Sequence, residues 1–224
     1  MAEFDGCALG ELLIDFTENG ISENGNPIME ANPGGAPCNV LAMLNKQGYK
    51  TAFIGKVGND IFGRQLKAVV REAGINTDGL VTDESVNTTL AFVHTLPGGD
   101  REFSFYRNPG ADMMLSESDI DYKLVQNSRI FHFGSLSMTG EICEAATKKA
   151  VETAKESGAI ISFDPNLREN LWDSLGKARE KIAYGISECD ILKISDNEIQ
   201  WFTGEQDFDR AVEILRGRYG NIKL

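Results

Sequence analysis

Short apolar runs alternate with helix-patterned segments along most of the chain, and that order restricts the available folds more than any other feature. Strands are expected over residues 7–16, 51–57, 130–133, 159–163 and 190–194. Helices are expected over 36–47, 61–73, 141–156, 175–186 and 208–218, with Gly48, Gly74 and Gly158 as stops. A crossover helix between successive strands gives a mostly parallel sheet with helices on both faces. The expected class is α/β.

Two stretches interrupt the rhythm. Residues 88–96 and 101–106 are β-rich and joined by Pro97-Gly98-Gly99-Asp100, a hairpin signal. Residues 17–32 form an irregular piece between the first strand and the first helix. Together, segments 12–33 and 86–112 read as a small β-sheet inserted into one α/β domain spanning 1–224. It would form a lid above the carboxyl ends of the strands, where open parallel sheets take their ligands. Residues 220–224 read as the opening of a further core strand, so the C-terminal part of the core is expected to be missing from this chain.

Composition removes several function classes. Lys and Arg number 22 against 34 Asp and Glu, a net charge of −12, and such a field disfavours nucleic acid and anionic membranes. A small anionic substrate remains compatible if basic residues converge in one cleft. The N-terminus carries acids where a signal peptide needs positive charge, and no apolar run approaches the ~20 residues of a membrane helix. A cytoplasmic protein is expected. Cys7, Cys38, Cys143 and Cys189 are widely spaced, with no C-x-x-C pair, and read as reduced thiols. With only His94 and His132, a multi-histidine metal site is excluded. His132, inside Phe-His-Phe, reads as a core residue.

Two glycine-bearing turns attract notice. In Asn32-Pro-Gly-Gly-Ala-Pro-Cys-Asn39 the glycines precede a helix, which lets backbone N–H groups face a ligand with Asn39 in the first helical turn. The same turn also reads as purely structural. Gly55-Lys-Val-Gly-Asn-Asp-Ile-Phe-Gly63 follows a strand and opens a helix, with Asp60 as its cap and Gly63 for close packing. Its spacing matches no phosphate loop.

Taken in order, GELLID, PGGAPCN, FIGKVGNDIFG, REFSFYRNPGAD, FHFGSLS, SFDPNLRENLW and ILKISDNE resemble the ribokinase-like (phosphofructokinase B type) sugar kinases, and among them fructokinases most closely. The resemblance is collinear over essentially the whole chain. It implies a parallel-sheet α/β core with a β lid, a small-molecule sugar as substrate, and ATP and magnesium as cofactors, with K+ as a further cation of the full-length protein. Asp15 would hold sugar hydroxyls, since a carboxylate accepts two donors. Gly34, Gly35 and Asn39 would form the sugar-binding turn. Phe105 and Arg107, two apart on one strand face, would lie over the sugar, with Tyr106 taking that place if the register slips by one.

The same resemblance puts Arg168, in Asp164-Pro-Asn-Leu-Arg168, near the substrate or the transferring phosphate as a transition-state stabiliser. Asp164 and Asn166 would orient it or make an Asx-turn; the alternative is a surface arginine pairing with Glu169 or Asp173. Lys193, Ser195 and Glu198 would face nucleotide phosphates, and Glu198 would reach magnesium through water. Ser195-Asp-Asn-Glu198 fits a helix cap with a capping-box acid as well.

The family's glycine-rich turn with its base aspartate stabilises charge on the phosphate and takes the sugar proton. No such segment stands between Met1 and Leu224, so the base is expected downstream of Leu224. The implied function is ATP-dependent phosphorylation of a sugar primary hydroxyl, fructose foremost, with 1–224 inactive alone. 2-Keto-3-deoxygluconate is the alternative substrate, because Arg107 and Arg168 can pair with a carboxylate. A non-catalytic fructokinase-like binding protein is the second alternative. A homodimer through the lid is expected; nucleic-acid and membrane partners are not.

Overall fold

The computed structural model describes residues 2–95 and 101–224. Its first strand, β1 (Phe4–Leu9), is followed at once by β2 (Leu13–Ile21) and β3 (Pro27–Gly34), then by α1 (Ala36–Lys46), β4 (Thr51–Gly58), α2 (Ile61–Glu72) and β5 (Leu80–Asp83). β6 (Leu90–Thr95) and β7 (Arg101–Tyr106) lead to a short α3 (Tyr122–Gln126) and to β8 (Ser128–Gly134). The remainder alternates through α4 (Glu141–Glu156), β9 (Ile160–Asp164), α5 (Leu175–Glu188), β10 (Ile191–Leu192), α6 (Asp196–Thr203) and α7 (Phe208–Arg218).

The larger sheet has the order β10-β9-β8-β1-β4-β5 and is parallel throughout. Strand alternation sorts its side chains into two cores. Cys7, Leu9, Ile54, Phe131 and Phe133 meet Ala146 and Ala150 of α4 and Ile182 of α5 on one face. Ala8 and Phe53 meet Leu41 of α1 and Leu66 of α2 on the other. Burial on both faces is why these strands read as continuous apolar runs. The chain winds from β1 to β4 and β5 on one side, then returns to β8, β9 and β10 on the other. The strand order therefore reverses at β1 and β8, and the crevice beyond their carboxyl ends is the switch point at which such sheets hold ligands.

The smaller sheet has the order β3-β2-β6-β7, with β2 and β6 parallel and the outer pairs antiparallel. One face carries Phe16, Phe92 and Tyr106, with Phe62 of α2 edge-on to Phe16. The opposite face presents Asp15, Phe103 and Phe105 toward the strand ends of the core. The connection from β5 to β6 is pinned by two acid–threonine pairs. Asp60, which caps α2 at Gly63 N, accepts from Thr88 N at 2.7 Å and from Thr88 Oγ1 at 2.8 Å. Asp112 accepts from Thr89 Oγ1 at 2.5 Å.

Several boundaries differ from the sequence reading. Residues 7–16 are two strands in two sheets: the chain leaves the core after Leu9 and enters the small sheet at Leu13. Leu12, Leu13 and Ile14 are buried on both sides of that bend, so the apolar run continues across it. Residues 17–32 are not irregular; they complete β2 and most of β3, a hairpin whose outer half is exposed and so carries no apolar signature. β5, α3 and α6 were not anticipated as elements, and the strand expected over 190–194 shortens to Ile191–Leu192. Residues 220–224 do not form a regular strand, yet Lys223 N donates to Asp190 O at 2.7 Å and Leu192 N to Leu224 O at 2.8 Å, alongside β10. The turn at 97–100 lies outside the described residues. Among those residues no helix is long and apolar enough to cross a membrane, and all four cysteines are free and buried.

Candidate active site

A cleft of about 230 Å³ opens between the small sheet and the carboxyl ends of β1, β8 and β9. Asp15, Phe103 and Phe105 line it from the small sheet; Glu11, Gly35, Asn39, Leu136, Asn166 and Arg168 line it from the core. Two of the expected residues are needed to shape it. A Cβ on Gly34 would overlap the Asp15 carboxylate, and one on Gly35, at φ 125°, would overlap the Glu11 carbonyl. Only glycines let this turn lie against the start of β2, and they bring the first turn of α1, with Asn39, to the cleft.

Asp15 is half-buried, and among the described residues no donor is bonded to its carboxylate. Burial raises its pKa, and the opposing charge of Arg168 moderates the rise. Arg168 donates to its neighbour Leu167 O at 3.1 Å and packs over the Phe103 ring at 5.2 Å. The surface pairing with Glu169 or Asp173 does not form; Asp173 pairs with Lys177 at 2.6 Å instead. The loop carrying Arg168 is tied to β7 by Asn170 Nδ2, which donates to Phe103 O at 3.1 Å. Asp164 and Asn166 make the Asx-turn: Asn166 N donates to Asp164 Oδ1 at 3.1 Å, and Asn166 adopts φ 43°, a left-handed conformation that asparagine tolerates. Phe105 faces the cleft and Tyr106, 67% exposed, faces away, so the register does not slip.

Arg107 does not lie over the cleft. β7 ends at Tyr106, and beyond it the guanidinium turns into the interior, where Nε donates to Asp112 Oδ2 at 2.8 Å, Nη1 to Thr139 Oγ1 at 2.7 Å and Nη2 to Leu136 O at 2.9 Å. The two-residue periodicity that paired it with Phe105 holds only within a strand. The Arg107–Asp112 ion pair is buried and joins the end of the small sheet to the core.

Glu11 was missed in the sequence. It is 3% exposed, between β1 and β2, and its Oε1 accepts from Ala36 N at 2.9 Å. Its Oε2 is buried without a partner. Burial pushes the carboxyl up to about 7, against the pull of its own backbone N–H, that of Ala36 and the nearby Arg107 charge. The available signal was an acid inside the apolar run Ala-Leu-Gly-Glu-Leu-Leu-Ile. His132 is the core residue its context suggested: Nδ1 lies 3.0 Å from Ser162 Oγ, and burial lowers its pKa to about 4.

The expected nucleotide-side residues divide. A second depression of about 270 Å³ shares Arg168 with the first and is lined by Ser195, Glu198 and Trp201 among others. Ser195 caps α6, and Glu198 closes the capping box through Ser195 N at 2.9 Å and Ser195 Oγ at 2.7 Å. The other Glu198 oxygen accepts from Leu167 N at 2.7 Å, which fixes the loop beside Arg168. Lys193 lies outside this depression, 63% exposed, with its ammonium 3.2 Å from Asp164. Burial raises the Asp164 pKa, and Lys193 moderates that rise. Three protein donors already occupy the Glu198 carboxylate, and no cluster of metal-ligating side chains occurs among the described residues. Any contact of Glu198 with magnesium would therefore run through water.

Comparison with known proteins identifies the family and the fold. Residues 5–219 match the family described as pfkB family carbohydrate kinase. The probable fructokinase-3 of Arabidopsis thaliana is 43% identical over 204 residues, which cover 90% of this chain and 59% of that relative. A fructokinase from Xylella fastidiosa solved with bound ATP superposes with a TM-score of 0.86 at 31% identity, covering 96% of this chain and 69% of that one. A double-mutant fructokinase from Vibrio cholerae, solved with fructose, ADP and potassium ion, gives 0.86 at 28% identity, covering 97% and 68%. The chain thus spans about three fifths of the length of the curated relatives it matches, 59% and 62% for two from Arabidopsis. A cleft at the switch point of a parallel sheet, roofed by a four-stranded sheet and matched in order over 5–219, has one family behind it: this chain belongs to the pfkB carbohydrate kinases.

Proposed function

We propose that the full-length protein phosphorylates a primary hydroxyl of a sugar with ATP, fructose being the best-supported substrate, and that this cleft is its sugar site. The observation that carries the reading is the unbonded Asp15 carboxylate opposite Arg168, inside a cleft whose remaining polar lining is a glycine turn, Asn39, Asn166 and Glu11. A polyol supplies hydroxyl donors to carboxylates and accepts from amides and the guanidinium, so this lining matches it. In the reaction the sugar O–H becomes O–P, ADP leaves, and the proton passes to a base. ATP supplies the phosphoryl group. Arg168, shared by both depressions, is suited to charge on the transferring phosphate.

The cleft favours fructose over 2-keto-3-deoxygluconate. A sugar acid needs cations; Arg107 is committed to Asp112, and among the described residues Arg168 is the one cation lining the cleft, beside two carboxyl groups, Glu11 and Asp15. The fructose-bound Vibrio cholerae relative supports the same choice. Residues 1–224 contain no glycine-rich turn of the kind that cradles the transferred phosphate, so they would bind sugar without transferring phosphate.

A coupled ADP-release assay tests the reading on the full-length protein and on 1–224, each with both substrates. The full-length protein should prefer fructose in kcat/KM, and 1–224 should show no turnover. A preference for the keto acid of more than about tenfold overturns the fructose assignment, since one charge-assisted contact accounts for roughly that factor. Sugar binding by the full-length protein without turnover favours the non-catalytic alternative, and turnover by 1–224 shows the catalytic centre to be misplaced.

A further inference from the structure

Glu11 is buried for a purpose that its one hydrogen bond does not account for. Oε1 accepts from Ala36 N and so braces the glycine turn at the start of α1. A neutral glutamine of the same length would accept from that N–H as well, without bringing a titratable carboxyl inside. The second oxygen, Oε2, is inside the protein with no donor on it, and an unmet buried acceptor keeps its desolvation penalty until a donor arrives. Among the described residues the protein offers none. Arg107, the nearest cation acting on Glu11, directs its guanidinium donors at Asp112, Thr139 and Leu136. Glu11 is among the residues lining the cleft while Oε2 itself is closed to solvent, so a donor from the cleft reaches it once the side chain shifts toward that space.

We infer that Glu11 contacts the bound sugar directly, its Oε2 accepting one sugar hydroxyl while its Oε1 holds the glycine turn. This rests on the sugar-site reading above and deepens it. Glu11 follows β1 on the core side of the cleft, whereas Asp15 lies on β2 in the small sheet, so the two carboxyl groups take hydroxyls on different sides of the ring. Glu11 also sets the turn that carries Gly35 and Asn39. The residue thereby couples sugar recognition to the position of α1. Beside Asp15 it supplies an acceptor and no cation for a carboxylate substrate, which makes it a specificity determinant for neutral sugars.

The test compares wild type, Glu11→Gln and Glu11→Asp in the full-length protein, measuring fructose KM, ATP KM and Tm, and repeating the sugar series with monodeoxy fructose analogues. Gln keeps an oxygen for Ala36 N–H and replaces Oε2 by an amide donor. Fructose KM should rise about tenfold or more, the loss expected of one hydroxyl–carboxylate hydrogen bond, while ATP KM stays close to wild type and Tm does not fall. One deoxy analogue, lacking the hydroxyl that Oε2 receives, should show no difference between wild type and variant. An unchanged fructose KM, or a loss felt equally by every analogue, overturns the inference and leaves Glu11 as a brace for the turn. Should the Gln variant not fold, Glu11→Asp is read by the same criteria, because the shorter side chain cannot serve both Ala36 and the sugar. A wild type inert toward fructose contradicts the sugar-site reading itself and takes this inference with it.

Discussion

Arg107 spends its donors on Asp112, Thr139 and Leu136, whereas Arg168 keeps a face toward the cleft and packs on Phe103. In the sequence both are arginines at strand ends, and nothing local distinguishes them; burial decides. Arg107→Met should therefore cost about 3–5 kcal/mol of stability, because Asp112 is left buried and uncompensated. Arg168→Ala should leave Tm nearly unchanged and lower kcat instead. Denaturant titration with steady-state kinetics checks both, and the reverse pattern would exchange their roles. Glu11 gives a second residue-scale expectation. Its carboxyl is raised to about 7 from an ordinary 4.5, mainly by burial with Asp112 nearby and Arg107 opposing. Between those values the native state holds a proton that the unfolded chain has released, so its contribution is intact below 4.5 and is lost as pH rises to 7. His132, lowered to about 4 from 6.5, acts oppositely and loses stability as pH falls through that range. The stability of Glu11→Gln relative to wild type should thus grow by about 3 kcal/mol between pH 4.5 and 7, at ~1.36 kcal/mol for each unit. Urea unfolding at stepped pH reads it, and a difference independent of pH would mean Glu11 is ionised throughout.

The elements were legible where apolar periodicity was strong. The core strands β4, β8 and β9 and helices α1, α2, α4, α5 and α7 stand close to their expected bounds because each buries a face. β3 and the outer half of β2 were not legible, since their side chains are mostly exposed and only the ladder to the neighbouring strand defines them. α6 was visible only as its cap: Ser195 and Glu198 had two readings, and the structure shows the capping box with Leu167 N as a further donor. The element on which the cleft most depends is the turn into α1. Gly35→Ala would place a methyl on the Glu11 carbonyl at φ 125°, a strained backbone worth about 1–3 kcal/mol. The expected outcome is a lower Tm together with a raised fructose KM. A variant with unchanged Tm and KM would show the turn to be more permissive than its geometry indicates.

At the scale of the whole molecule, the alternation of strands and helices gave the parallel core, and the interruption at 88–106 gave the second sheet. Where the two sheets exchange the chain was hidden, because the buried apolar run continues through Leu9, Leu12, Leu13 and Ile14 across the bend. The cleft proposed to take the sugar was readable from Asp15, Gly35, Asn39 and Arg168. Their partner Glu11 was not, since an isolated acid in an apolar run carries no motif. The cleft, the switch point and the small sheet form one arrangement: a parallel sheet ends on a polar pocket whose roof is supplied by the chain leaving and re-entering that sheet. The most direct test of this account is the KM of the full-length protein for fructose and for ATP with Asp15→Ala. Fructose KM should rise about tenfold or more, as for loss of charge-assisted hydrogen bonds to hydroxyls, while ATP KM stays within about twofold. An equal loss for both substrates would contradict the account and make Asp15 a structural residue.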